Sequence, residues 1–119
     1  MADLDIPTVL DQAADHIGRV GWHQGDLYDP TQSDKALIDC RVCAVGAINV
    51  ALHGTPDFPN VDGEASAQEI TTVIEDFLGL AGEGEDLPGW NDALGRTQAG
   101  VTSALRDAAD FLRMEAGRG

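Results

Sequence analysis

Residues 66–78, Ser-Ala-Gln-Glu-Ile-Thr-Thr-Val-Ile-Glu-Asp-Phe-Leu, decide the fold class of this chain. Ile70, Val73, Ile74, Phe77 and Leu78 recur at the three- and four-residue spacing that gathers side chains on one face of an α-helix. Ser66 and Glu69 stand in the S-x-x-E order of a capping box, so the pattern predicts an amphipathic helix beginning just behind Ser66.

The same rhythm returns in three other places. Before it, Val9, Leu10, Ala13, Ala14, Ile17 and Val20 form one face, with Asp5 expected as the cap, Pro7 in the first turn and Gly21 as the stop. A second stripe, Cys40, Cys43, Ala44, Ala47, Ile48, Ala51 and Leu52, predicts a helix within Asp34–His53, capped by Asp34 or Asp39 and ended by Gly54 before Pro56. Its small residues would let a neighbouring helix approach closely. The last stripe, Val101, Ala104, Leu105, Ala108 and Leu112, predicts a helix capped by Thr97, with arginines toward its C-terminus that suit the helix dipole and a fraying end over residues 115–119.

No run alternates with period two, and there is no internal repeat or low-complexity tract. With 119 residues the chain fits one domain. The expectation is an all-α, compact single domain of about four helices with long loops, spanning residues 1–119 and ordered from about 5 to 114. The loops are long for a bundle, so they hold short helical turns or carry function. With 43% apolar residues but only 5% aromatic, the core must come from Leu, Ile, Val and Ala.

Charge narrows the function classes. Seven Lys and Arg face 21 Asp and Glu, a formal net charge of −14. No Lys or Arg occurs from Val42 to Gly95, whereas the segment after it holds Arg96, Arg106, Arg113 and Arg118. Such a domain repels phosphate backbones and anionic lipid, which argues against nucleic-acid and membrane binding. Solubility, attraction of a basic partner, and imitation of DNA all remain compatible with it. No apolar run approaches the ~18 residues of a membrane span, and the opening "MADLDIPTVL" lacks the features of a signal peptide, so the expected location is the cytoplasm, with both cysteines as thiols.

Cys40-Arg41-Val42-Cys43 matches C-x-x-C, and His16, His23 and His53 lie elsewhere. The histidines lack the H-x3-5-H spacing of a zinc finger, and the βαβ setting of a thioredoxin-like pair is missing. Both thiols sit on the apolar stripe, so core packing is expected, with no metal and no cofactor. A reactive thiol would be Cys43, with the helix dipole lowering its pKa and His23 as the better-placed base.

Two further stretches stand out. Gly21-Trp22-His23-Gln24-Gly25 reads as a helix exit whose tryptophan folds back on the core. In Gly89-Trp90-Asn91-Asp92-Ala93-Leu94-Gly95-Arg96-Thr97-Gln98, Pro88-Gly89 breaks the chain, Asn91 and Asp92 read as Asx-turn formers, and Gly95 permits a positive φ. Arg96 is expected against Asp92 or over a tryptophan face. As a binding site, Asn91, Asp92 and Arg96 would hold a polar ligand. There is no G-x-G-x-x-G, Walker lysine loop, G-x-S-x-G or H-E-x-x-H, and Lys35 is the only lysine.

Together these stretches resemble an uncharacterised small-protein family of actinobacteria and their phages, with the patterns G-W-x-Q-G, C-A-x-G-A and W-N-D-x-x-G-R-T. Here they are Gly21–Gly25, Cys43–Ala47 and Trp90–Thr97, and the resemblance spans roughly residues 8 to 112. The family is a domain of unknown function, so the resemblance implies no activity. Its members often continue T-x-x-E, where this chain has Gly100. Cys40 lies outside the pattern, which argues against a paired-cysteine site.

Two functional expectations follow. The first is an acidic cytosolic protein acting through contact with a basic partner protein, as a phage or actinobacterial accessory or host-modulating factor. The second is an enzyme or ligand-binding domain whose pocket gathers Trp22, Gln24, Cys43, Trp90, Asn91, Asp92 and Arg96, with Cys43 as nucleophile or pocket wall and His23 and Asp92 as catalytic candidates. In a third, blander reading, the motifs only hold the helices together.

Overall fold

The computed structural model describes residues 5–58 and 60–117, and the ends of the expected 1–119 domain lie outside it. Five helices follow one another: α1 (Ile6–Val20), α2 (Ala44–His53), α3 (Val61–Leu78), α4 (Leu87–Asp92) and α5 (Gln98–Gly117). Short 3-10 turns at Leu37–Asp39 and Ala81–Glu83 break the connections, so the long loops do hold helical turns. No strand occurs among the described residues, and the fold is an all-α single domain. None of its helices is long and apolar enough to cross a membrane.

The apolar stripes meet as their spacing requires. α1 lies across both α5 and α2, while α2 also contacts α3 and α4. Leu10, Ala13, Ile17, Ala47, Ile48, Ile70, Ile74, Val101, Leu105 and Ala108 form a closed aliphatic core. Trp22, Phe58 and Trp90 cover its edge, the folding-back expected of Trp22.

Two expected helix starts are corrected, while Asp5 does stand at the N-cap position of α1. The S-x-x-E box is not the start of α3. Asn60 caps that helix, its Oδ1 accepting from the Gly63 N–H at 2.8 Å, and Ser66 sits inside, donating back to the Asp62 carbonyl. Gly63 marks a loop by propensity, but it is buried, and its carbonyl lies 3.0 Å from His53 Nε2 at the end of α2. Tertiary contact outweighs intrinsic preference there.

α2 begins at Ala44, with Cys43 as its cap instead of Asp34 or Asp39. Cys40 is therefore not on its stripe. The backbone of Arg41, Val42 and Cys43 is engaged with the Gly21–Asp29 segment, which removes it from any helix. At α1, Asp5 precedes the helix but makes no side-chain bond to a backbone N–H; its carboxylate accepts from the Thr8 hydroxyl.

Thr97 caps α5 as expected, its Oγ1 accepting from the Gly100 N–H at 3.1 Å. The cap forms with Gly100 at the position where a capping box would place glutamate. α5 stays helical through Gly117, and the rest of the segment expected to fray lies outside the described residues.

Candidate functional site

The three motifs converge on the N-terminal end of α2. After Gly21 (φ +101°) the chain leaves α1 and passes Val42 twice. The His23 N–H donates to the Val42 carbonyl at 2.9 Å, and the Val42 N–H donates to Gly21. On the return pass the Asp29 N–H donates to Arg41, and the Cys43 N–H donates to Leu27. This brings the Leu27 carbonyl onto Gly46, where an added Cβ would lie 2.0 Å from that oxygen. The glycine of C-A-x-G-A is thus a contact surface for a loop.

Asn91 locks this crossing from the other side. It is fully buried. Its Oδ1 accepts from Trp22 Nε1 at 2.8 Å and from the Ala44 N–H at 3.0 Å. Its Nδ2 donates to the His23 carbonyl at 3.1 Å and to Asp92 Oδ1 at 3.0 Å. All four hydrogen-bonding positions of the amide are filled.

The Asx-turn expectation for Asn91 and Asp92 is therefore corrected. Both lie at the end of α4, which Asp86 caps, and their bonds reach back to residues 22–25 and to Ala44. Pro88-Gly89 does not break the chain; proline is tolerated in the first turn of α4. Asp92 Oδ1 also accepts from the Gly25 N–H at 2.9 Å. Gln24 Nε2 donates to the carbonyls of Asn91 and Ala93. Arg96 lies over the Trp90 ring, 4.1 Å from its centroid, and donates Nε–H to the Trp90 carbonyl. It takes the tryptophan option, not the Asp92 option, and Gly95 does adopt a positive φ.

The binding candidates are thus brought together, largely by bonding to one another. Cys43 joins them as the cap of α2, its Sγ accepting from the Gly46 N–H at 3.4 Å. Burial pushes its thiol pKa above the ordinary value and Asp92 adds to the rise, while the Gly46 and Val45 N–H groups oppose it. The position at the helix end does bring the expected lowering influence, but desolvation is larger. His23 and Cys43 are not joined by a hydrogen bond. The His23 ring nitrogens face Asp26 at 3.8 Å and Asp29 at 3.9 Å. Cys40 and Cys43 are free thiols with different partners, Cys40 pointing to the carbonyls of Gln32 and Ala36. Among the described residues no His, Cys, Asp or Glu group of three or more is arranged to hold a metal ion.

Two further features border the junction. Asp29 is buried and accepts from both the N–H and the hydroxyl of Thr31 and from Nε and Nη2 of Arg41. The Thr31 hydroxyl and then the Arg41 guanidinium hold its pKa down to about 2. Its sequence signal was Asp29-Pro30-Thr31, a turn-forming triplet. The second feature is a cleft of about 290 Å³ beside the junction, walled by Leu27, Cys43, Val45 and Pro88 and bounded by Asp26 and Asp92.

No curated protein and no solved structure matches the chain. A family model, described as a family of unknown function (DUF6197), matches residues 1–111, which takes in the Gly21–Gly25, Cys43–Ala47 and Trp90–Thr97 motifs. Spanning all but the last turn or so of α5, that match establishes that the chain belongs to DUF6197.

Proposed function

We propose that this protein works by protein–protein contact, in the cytoplasm, through an acidic face that receives a basic partner protein. Its role is that of an accessory or host-modulating factor of an actinobacterium or its phage. The observation that carries this reading is the unequal distribution of counter-charges. Each described arginine is engaged elsewhere: Arg19 with Asp39, Arg41 with Asp29, Arg96 on Trp90, and Arg106 and Arg113 with acids of α1 and α5. From Asp57 to Asp92 the carboxylates of α3 and its neighbours have no cationic side chain against them among the described residues. Unscreened charge of one sign steers and accelerates association with the opposite sign.

The Cys43-centred alternative has weaker support. A buried thiol with a raised pKa, unjoined to a base, suits a pocket wall better than a nucleophile. Slow alkylation of Cys43 by iodoacetamide at neutral pH is expected, and fast alkylation would revive the nucleophile. The main reading is tested by binding the protein to an immobilised basic partner from a host lysate and eluting with salt. A discrete partner released below about 0.3 M salt is expected, and retention unmoved by salt would sink the reading.

A further inference from the structure

The cleft beside Cys43 does not end at its own walls. Leu27, Val45 and Pro88 also wall a second cavity of about 310 Å³, which runs on between α3 and α4. The two make one groove with a shared apolar sill. Phe58 and Ala67 extend that floor. Every charged residue on the rim is a carboxylate, Asp26 and Asp92 at one end and Glu64, Glu75 and Asp86 at the other, with Gln68 and Thr71 as neutral polar neighbours. No Lys, Arg or His lines either cavity.

Several of these carboxylates are already held in place. Leu87 N–H binds Glu75 Oε2, Gly89 N–H binds Asp86 Oδ1, and Gly25 N–H binds Asp92 Oδ1. Each of those hydrogen bonds engages one oxygen of its carboxylate and fixes the direction of the other. The rim is therefore a positioned set of acceptors around an apolar floor.

Resting on the proposed protein-contact function, we infer that this groove is the docking site, and that its occupant is a basic amphipathic segment of the partner. Apolar side chains of that segment fill the two cavities, and flanking Lys or Arg residues meet the rim. Size and charge both point there. At about 290 and 310 Å³ the two cavities each lie near the ~300 Å³ lower bound of ligand pockets, and two in succession along one apolar sill suit successive side chains of one peptide. A rim of one sign around an apolar floor sets the partner's pattern: apolar anchors inside, cations outside.

The test uses the intact protein and a fluorescein-labelled peptide of about sixteen residues, with leucines one helical turn apart and lysines flanking them. Fluorescence polarisation is read at about 50 mM and about 300 mM salt. A scrambled peptide of the same charge is the control. The leucine-patterned peptide is expected to bind more tightly than the scrambled one. Reversal of two exposed rim charges together, Asp26→Lys with Glu64→Lys, is expected to weaken it by about tenfold or more. Reversal of two acids off the groove, Glu69→Lys with Glu83→Lys, is expected to weaken it by no more than about twofold.

Equal losses from the two pairs, or equal binding of the patterned and scrambled peptides, would overturn the groove while leaving a diffuse acidic contact standing. No binding of either peptide at low salt would overturn both. Circular dichroism of the two double variants checks that a lost signal is lost binding and not lost fold.

Discussion

Two regions of this small domain treat their polar residues in opposite ways. At the Asn91 junction, Trp22, Gln24, Asn91, Asp92 and Arg96 turn toward backbone and one another, and the buried amide of Asn91 is fully bonded. On α3 and the turns after it, Asp62, Glu64, Glu69, Asp76, Glu83 and Glu85 point outward with no cation beside them among the described residues. The first region carries the motifs and the second carries the charge. A sequence motif can thus record a folding constraint, while an acidic stretch without motifs stays on the surface, as the proposed partner contact requires. α1 makes the contrast sharper, because its Asp11 and Asp15 are neutralised by Arg106 and Arg113 of α5.

The largest effect is expected where the junction has no room. Gly46→Ala sets a Cβ 2.0 Å from the Leu27 carbonyl, and backbone on both sides must move. A loss above about 3 kcal/mol is expected in denaturant unfolding, enough to abolish a cooperative transition in a marginal domain. Asn91→Ala comes next. It strands the Ala44 N–H, the Trp22 indole N–H and the His23 carbonyl in a site with no solvent exposure. About 2–4 kcal/mol is expected from those unmet bonds. A loss below about 1 kcal/mol would mean that water replaces the amide readily, and the junction would then be a wet pocket open to ligand.

The helical stripes were legible because burial on one face forces a period. Ile70, Ile74, Leu105 and Ala108 are all core residues, and the stops at Gly21 and Gly54 fall where expected. Helix starts were less legible, since a cap depends on which group reaches the free N–H first. Ser66 and Asn60 both qualify by type, and the longer helix has the Asn60 cap bond and the contact of Gly63 with His53 on its side. Cys40 and Cys43 shared a stripe on paper but not in space, because the pairing of Arg41–Cys43 with residues 21–29 is non-local. For the same reason Asn91 and Asp92 were assigned to a local turn, although their partners lie at positions 22–25 and 44. Arg96 over a tryptophan face was legible in the sequence, but the long-range bonding of Asn91 and Asp92 was not.

A third effect is expected at Asp29, which belongs to the junction side but carries a charge. Its folded pKa of about 2 lies below the ordinary 3.8. A depressed carboxylate pKa contributes stability in full above the unfolded value and loses it as pH falls through the folded one. The contribution should be intact at pH 7, decline from about pH 4 and vanish near pH 2. Asp29→Asn is therefore expected to lower the melting temperature at neutral pH, by less than Asn91→Ala, and to leave the low-pH melting temperature unchanged. A constant gap between variant and parent down to pH 2 would show that Asp29 works through shape alone, and would move it from the charged to the neutral part of the junction.

The smallest effect tests the acidic face itself. Asp62 and Glu64 stand in the first turn of α3, where a negative charge suits the helix dipole. Asp76 stands in the last turn, where it does not, and no basic residue accompanies it there. Asp76→Lys is therefore expected to raise stability by about 0.3–1 kcal/mol at low ionic strength, with the gain fading in salt, and Asp62→Lys to lower it by a similar amount. Binding of a basic partner should run the other way for Asp76→Lys, weakening by no more than about twofold because Asp76 lies off the groove. A residue whose removal helps the fold and harms the contact is held for the contact, as the proposed function requires. If Asp76→Lys instead destabilises the domain, Asp76 has a structural use, and the division between an inward-bonded junction and an outward-facing acidic surface fails at that point.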